Sequence, residues 1–147
     1  MPQQESFVLS NAVSLAQAYE ANQYFAQLGE GEIAVPYAIY CNKIMVGFAM
    51  YGYFPPGDEG DAYYSSTEHH YYFWRLLIDK NYQGKGIGKE AIRQVMEKIK
   101  LKPYGAASYC YVSYVPENIA SKAAFTACGF EEDGRIVDGE LVARYKL

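Results

Sequence analysis

Trp74-Arg-Leu-Leu-Ile-Asp-Lys-Asn-Tyr-Gln-Gly-Lys-Gly-Ile-Gly-Lys-Glu-Ala-Ile-Arg-Gln-Val-Met-Glu-Lys-Ile-Lys100 reads as strand, loop and helix. Residues 71–78 are aromatic and aliphatic apart from Arg75, and the polar run 79–81 ends the strand. Gln83 to Gly88 alternates glycine with longer side chains. From there Ala91, Ile92, Val95, Met96 and Ile99 recur with a helical period. A glycine run that opens a helix turns backbone N–H groups outward, and the helix dipole adds partial positive charge. Glycine also reaches φ > 0 and lets the main chain approach a ligand closely. The physical reading is a seat for an anion, a phosphate above all. The P-loop pattern G-x-x-x-x-G-K-[ST] does not occur in the run. A dinucleotide fingerprint fits formally as Gly86-x-Gly88-x-x-Ala91, but it belongs directly after its strand in a parallel βαβ unit. Here residues 79–83 intervene. A strand-to-helix turn with no ligand is the remaining alternative.

Upstream, residues 1–5 are polar, and Ser10 or Asn11 caps a predicted helix through residue 27. Predicted strands at 36–41 and 44–53 meet at Asn42-Lys43, a two-residue hairpin join. Residues 54–66 form a loop, and 68–78 the next strand. Downstream, Lys102-Pro103-Tyr104-Gly105 stops the long helix. A strand follows at 107–115, a short helix at 119–127, and a hairpin of 130–137 with 140–147 that turns at Asp138-Gly139. This order predicts a single α+β domain over residues 1–147, with a mixed, mostly antiparallel sheet flanked by helices.

Composition narrows the partners. The chain has 147 residues, 50% hydrophobic and 20% charged, which suits a globular core. Its formal charge of −4 argues against nucleic acid and favours a small cationic substrate. Sixteen tyrosines suggest a wet, aromatic-lined cleft or an interface. Cys41, Cys110 and Cys128 lack metal or redox spacing and read as small buried hydrophobes in a reducing compartment. No apolar run reaches membrane-span length, and no secretion signal opens the chain. The expectation is a cytoplasmic protein with no membrane partner and no metal; the pair His69-His70 has no evident third ligand.

Two motifs carry a family resemblance. Gln83-Gly-Lys-Gly-Ile-Gly88 fits the pattern [QR]-x-x-G-x-[GA] after an apolar strand, and Asn118-Ile-Ala-Ser-Lys-Ala-Ala-Phe-Thr-Ala-Cys-Gly-Phe130 resembles N-x-x-A-x-x-x-Y-x-x-x-G-F. Together, in this order, they resemble the GNAT N-acetyltransferases over roughly residues 36–147. Within that superfamily Val46-Gly-Phe-Ala-Met-Tyr51, Tyr82-Gln-Gly-Lys-Gly-Ile-Gly-Lys89 and Asp138-Gly-Glu140 look like bacterial spermine/spermidine (diamine) acetyltransferases. The resemblance implies acetyl transfer from acetyl-CoA to a primary amine in a ternary complex. Alternatives are a peptide, protein or antibiotic amine, or a catalytically weak CoA-binding regulatory protein. Two departures stand out. The sequence ahead of residue 10 is read as lacking the family's first strand and helix, and an uncovered sheet edge predicts a homodimer. The family's tyrosine, an acid toward the leaving sulfur, is Phe125 here.

Site roles follow from the resemblance. The backbone of Leu76, Leu77 and Ile78 would hold the pantetheine arm as an added strand. Gln83, Gly84, Lys85, Gly86, Ile87, Gly88 and Lys89 would hold the pyrophosphate, with Asn118 on the pantetheine, Lys122 near the nucleotide end, and Phe125 beside the arm. An ammonium of pKa about 10.4 must lose a proton before it attacks, so a base is needed. Glu68 and His70, on one face of a predicted strand, are candidates, and Tyr114 is a candidate substitute acid. Asp58, Glu59 and Asp61 are the expected contacts for a polycation.

Overall fold

The structure is a computed structural model and describes residues 7–10, 28–57 and 65–147. The predicted N-terminal helix and the acids Asp58, Glu59 and Asp61 lie outside the described residues.

Seven strands form one sheet in the order β1-β2-β3-β4-β5-β7-β6. They are β1 (Phe7–Ser10), β2 (Ile33–Cys41), β3 (Ile44–Phe54), β4 (His70–Ile78), β5 (Tyr109–Tyr114), β6 (Glu131–Val137) and β7 (Glu140–Lys146). Two helices cross the described part, α1 (Ile87–Ile99) and α2 (Ile119–Ala127). The α+β class and the mixed, mostly antiparallel sheet agree with the sequence. One point differs. β1 pairs antiparallel with β2, Phe7 against Cys41 through Ser10 against Ala38, so a first strand is present. Four residues, Phe-Val-Leu-Ser, are too short to show a strand period beside a polar leader. β1 covers the β2 edge from Ala38 to Cys41, and over that length the argument from an uncovered edge to a homodimer lapses.

Turn chemistry sets the hairpins. Asn42 and Lys43 have φ of 50° and 70°, and Asp138 and Gly139 have 50° and 79°. Two consecutive positive φ values are the signature of the tight turn whose twist matches paired strands. On α1, Ile87, Ala91, Ile92, Val95, Met96 and Ile99 are all buried. They pack on the sheet face built by Tyr51, Tyr71, Phe73, Cys110 and Val112. The exposed Arg93–Glu90 pair on the other side of α1, at 2.6 Å, adds little in water.

The tyrosines are used differently from the expectation. Tyr37, Tyr51, Tyr53 and Tyr71 are buried. Tyr53 Oη donates to the Ala106 carbonyl at 3.0 Å and Tyr71 Oη to that of Gly105 at 3.0 Å, while Tyr104 N–H donates to Tyr71 Oη at 3.1 Å. The rings fill the core, and the hydroxyls of Tyr53 and Tyr71 bond backbone groups of the loop between α1 and β5.

Candidate active site

β4 and β5 pair in parallel only at Tyr71 with Cys110 and Tyr72 with Tyr111, and beyond these pairs they part. A bulge sharpens the split. Tyr51 pairs with Phe73 and Met50 with Arg75, so Trp74 is an extra residue in β4. β5 takes its next partner, β7, on its other edge. The late part of β4 therefore has a partner, β3, on one side, while its other edge turns to the opening.

The opening is continuous with a cleft of about 560 Å³ lined by Leu76, Leu77, Ile78, the loop from Tyr82 to Lys89 and one face of α2. Gln83 Nε2 donates to the Ile78 carbonyl at 2.9 Å and ties the loop to the strand end. Asp79 steadies the turn before it by accepting from Asn81 N–H at 2.8 Å. Gly84 and Gly86 have φ of 76° and 81°. No side chain caps α1, and its first helical bond runs from Glu90 N–H to the Gly86 carbonyl. The N–H groups of Ile87, Gly88 and Lys89 at a helix start have no intrahelical partner, and with the dipole they form an anion seat. An added Cβ at Gly84 or Gly86 meets no protein atom within 4 Å, so the space above the loop is open.

Most sequence candidates for the cofactor meet here. Leu76, Leu77, Ile78, Gln83, Gly84, Gly86, Ile87, Gly88, Lys89 and Asn118 all line the cleft. Two lysines do not. Lys85 Nζ lies 5.3 Å from the Tyr82 ring centroid, and Lys122 Nζ pairs with Glu132 at 3.3 Å. Asn118 Oδ1 accepts from Ser121 N–H at 3.1 Å and caps α2 while standing at the cleft wall. The small residues Ala120, Ala123, Ala124 and Ala127 also line it. Their i, i+3, i+4, i+7 spacing is visible in the sequence as a face too shallow for core packing, a signal that singles out no ligand by itself.

Next to the cleft, a gap of about 220 Å³ lies between the parting strands. Phe125 is buried at its floor, edge-on to Phe73 and Phe130 with centroids 5.1 and 5.2 Å away. Tyr114 touches the gap, but its hydroxyl donates to Glu132 Oε1 at 3.0 Å. Burial, then the Glu132 carboxylate, pushes its pKa up to about 12. A phenol that holds its proton this firmly is a poor donor to a thiolate, whose conjugate thiol has pKa about 8.5. The structure thus argues against Tyr114 as the acid.

The two base candidates do not reach the gap. β4 begins at His70, so Glu68 precedes the strand. Its carboxylate accepts from Ser108 N–H at 3.3 Å and Ser108 Oγ at 3.0 Å. It lines a separate groove with His69, Lys102 and Ser108. His70 is 1% exposed, packed between Phe54 and Tyr111 at 6.0 and 5.6 Å. The hydrogen bonds of Glu68 and the burial of His70, not strand alternation, decide their surroundings. Burial lowers the His70 pKa from its ordinary value near 6.5. The unfolded chain then binds a proton that the folded chain refuses as pH falls below about 6.5, so this residue's contribution to stability declines from there toward the folded pKa. His70→Gln is expected to flatten the fall of Tm between pH 7 and 5, as thermal unfolding at successive pH values would record. A Tm slope equal to wild type would contradict the buried neutral imidazole.

Sequence reasoning missed the polar side chains opposite α2. Ser113 and Glu140 line the gap with Trp74 and Arg75. Glu140 follows the Asp138-Gly139 turn, and only the β5–β7 register brings it to Ser113. Among the described residues no group of three or more His, Cys, Asp or Glu side chains stands ready for a metal. No helix among them is long and apolar enough to cross a membrane.

Comparison with known proteins agrees with this geometry. The acetyltransferase (GNAT) family matches residues 7–130. A probable spermine N(1)-acetyltransferase of Bacillus subtilis subsp. natto (strain BEST195) is 31% identical over 140 residues, 95% of this chain and 81% of its own. The spermine/spermidine N(1)-acetyltransferase of Bacillus subtilis (strain 168) is 30% identical over the same shares. The crystal structure of aminoglycoside acetyltransferase AAC(6')-Ib in complex with coenzyme A has the same fold, with a TM-score of 0.70 and 19% identity over 95% of this chain and 93% of that one. The open strand edge, the anion seat at α1 and the family match over most of the chain converge: this protein belongs to the GNAT family and is an acetyl-CoA-dependent N-acetyltransferase.

Proposed function

We propose that the enzyme acetylates a primary amine of a polyamine such as spermidine or spermine, by direct attack within a ternary complex. The observation that carries this reading is the similarity, over 95% of the chain, to two enzymes named for spermine. The net charge of −4 and the acids Asp58, Glu59 and Asp61 before β4 support it, since spaced carboxylates match spaced ammoniums. Acetyl-CoA supplies the activated acetyl thioester. Leu76, Leu77 and Ile78 offer the free edge of β4 to the amide groups of the pantetheine arm. The N–H groups from Gln83 to Lys89 hold the pyrophosphate, and Lys89 adds charge at the cleft wall. Asn118 orients the arm from α2. Phe125 closes the floor and keeps water from the thioester. With the Tyr114 hydroxyl held by Glu132 and no other acid assigned among the described residues, the sulfur leaves as a thiolate, tolerable at a thiol pKa of about 8.5.

Thiol release from acetyl-CoA across a panel of amines tests the reading. Spermidine and spermine are expected to exceed a simple alkyl monoamine, a peptide N-terminus and an aminoglycoside by roughly tenfold or more in kcat/KM. That margin is about 1.4 kcal/mol, the worth of one or two extra charge contacts. Neutralising Asp58, Glu59 and Asp61 together is expected to raise KM for spermidine and leave CoA affinity unchanged. Equal turnover of all amines, or an unchanged KM at low salt, would contradict the polyamine assignment.

A further inference from the structure

On the sheet face away from α1 and α2, three strands bring one directed hydrogen-bond chain to the acyl-transfer gap. Tyr114 registers with Leu141 and Ser113 with Val142, so Ser113 and Glu140 are diagonal neighbours on one face. Ser113 Oγ donates to Glu140 Oε2 at 3.3 Å. A hydroxyl has one proton, and Ser113 spends it on the carboxylate. In the 3.2 Å contact between Tyr72 Oη and Ser113 Oγ, Tyr72 is therefore the donor. The chain runs Tyr72 to Ser113 to Glu140 and delivers both protons toward the carboxylate. Ser113 and Glu140 line the gap together with Trp74, Arg75, Leu76 and Leu77 of β4.

We propose that Glu140 is the general base of this enzyme, with Ser113 and Tyr72 as positioning residues that fix its carboxylate. The proposal rests on the cleft and gap holding the acyl donor. The acceptor R–NH3+ gives one proton to Glu140. The freed nitrogen lone pair forms the C–N bond at the thioester carbonyl carbon, and the C–S bond breaks. The sulfur departs as a thiolate and then takes the second nitrogen proton, giving CoA thiol, and Glu140 returns its proton to water. Glu68 and His70 lack this access, as their contacts show.

Other ionisable groups share this face. They are His70, Tyr72 and Arg75 of β4, Tyr109 and Tyr111 of β5, Glu131, Asp133 and Arg135 of β6, and Arg144 and Lys146 of β7. Arg135 lies 5.5 Å over the Tyr111 ring and Arg144 4.4 Å over that of Tyr109. Arg135 also pairs with Asp133 at 2.8 Å. Arg75 is the cation that lines the gap together with Glu140.

The test is Glu140→Gln, which keeps the side chain's shape and an oxygen for Ser113. With an alkyl amine at pH 7, kcat/KM is expected to fall about 100-fold or more. The variant's rate should climb tenfold per pH unit toward the amine's own pKa of about 10.4, where no base is needed. With a weakly basic amine, already neutral at pH 7, the variant should stay within a few-fold of wild type. CoA should raise Tm equally in both proteins. Wild-type activity in the variant on the alkyl amine, or equal losses on both acceptors, would overturn the proposal. Absence of wild-type turnover with every amine would instead overturn the reading of the cleft, and the base assignment with it.

Discussion

Gly86→Ala is expected to weaken CoA binding about 100-fold while costing the fold only about 1–2 kcal/mol, the usual penalty for a non-glycine residue in the left-handed region. Gly86 sits at φ 81° immediately before α1, at the mouth of the cleft. Its added Cβ meets no protein atom within 4 Å. Any loss beyond backbone strain therefore reports a ligand that fills that space. A displaced pyrophosphate would lose charge-assisted N–H contacts, and 100-fold corresponds to about 2.7 kcal/mol. Gly134 is the internal control, with φ 88°, the same open surroundings and a place on β6 away from the cleft. Gly134→Ala should lower Tm by a similar amount and leave CoA affinity unchanged. Calorimetric titration of CoA into both variants makes the comparison. Equal affinities would mean that the glycine loop serves the fold alone.

Phe125→Ala is expected to destabilise the protein by about 3–5 kcal/mol, the range for deleting a buried aromatic ring. For a chain of this size that is a Tm loss of roughly 10 °C or more. Phe125 is 3% exposed and joins Phe73 and Phe130 edge-on, with Tyr114 stacked 6.4 Å away. It is the one buried residue of α2, so this ring fastens the helix to the sheet. The larger cavity would also loosen the wall that Asn118 and Ser121 form. Phe125→Tyr is the informative partner. It keeps the ring and restores the hydroxyl that the family pattern has at this position. If the sulfur leaves unaided, kcat should change no more than a few-fold and Tm by a few degrees. A hundredfold gain in kcat would show that protonation of the leaving group limits the wild-type enzyme.

Features encoded within a few neighbouring residues were legible before the structure. The loop Gln83 to Gly88, the apolar stripe of α1 and the turns at Asn42-Lys43 and Asp138-Gly139 each state their geometry locally. The α2 bounds, residues 119–127, follow from Asn118 as cap and Cys128-Gly129 as stop. What was not legible depends on register between strands. Glu140 meets Ser113 only because β7 pairs with β5, and Tyr72 joins them only because β4 lies parallel to β5 at that level. Lys122 looked like a cofactor contact until Glu132, on the strand after the helix, claimed its charge. Glu68 belonged to a predicted strand until Ser108 drew its carboxylate to the neighbouring loop. The excess of tyrosine suggested a wet cleft or an interface, but two of those hydroxyls, on Tyr53 and Tyr71, close the loop at residues 102–107.

The central claim is that acetyl-CoA lies along the free edge of β4 with its pyrophosphate on the start of α1. Backbone amide shifts in a 15N-labelled sample titrated with CoA test it most directly. The largest changes are expected at Leu76, Leu77 and Ile78, at Gly84 through Lys89, and at Asn118 through Ala124. Changes centred on the groove of Glu68, His69 and Lys102, with β4 and the glycine loop unmoved, would contradict the account.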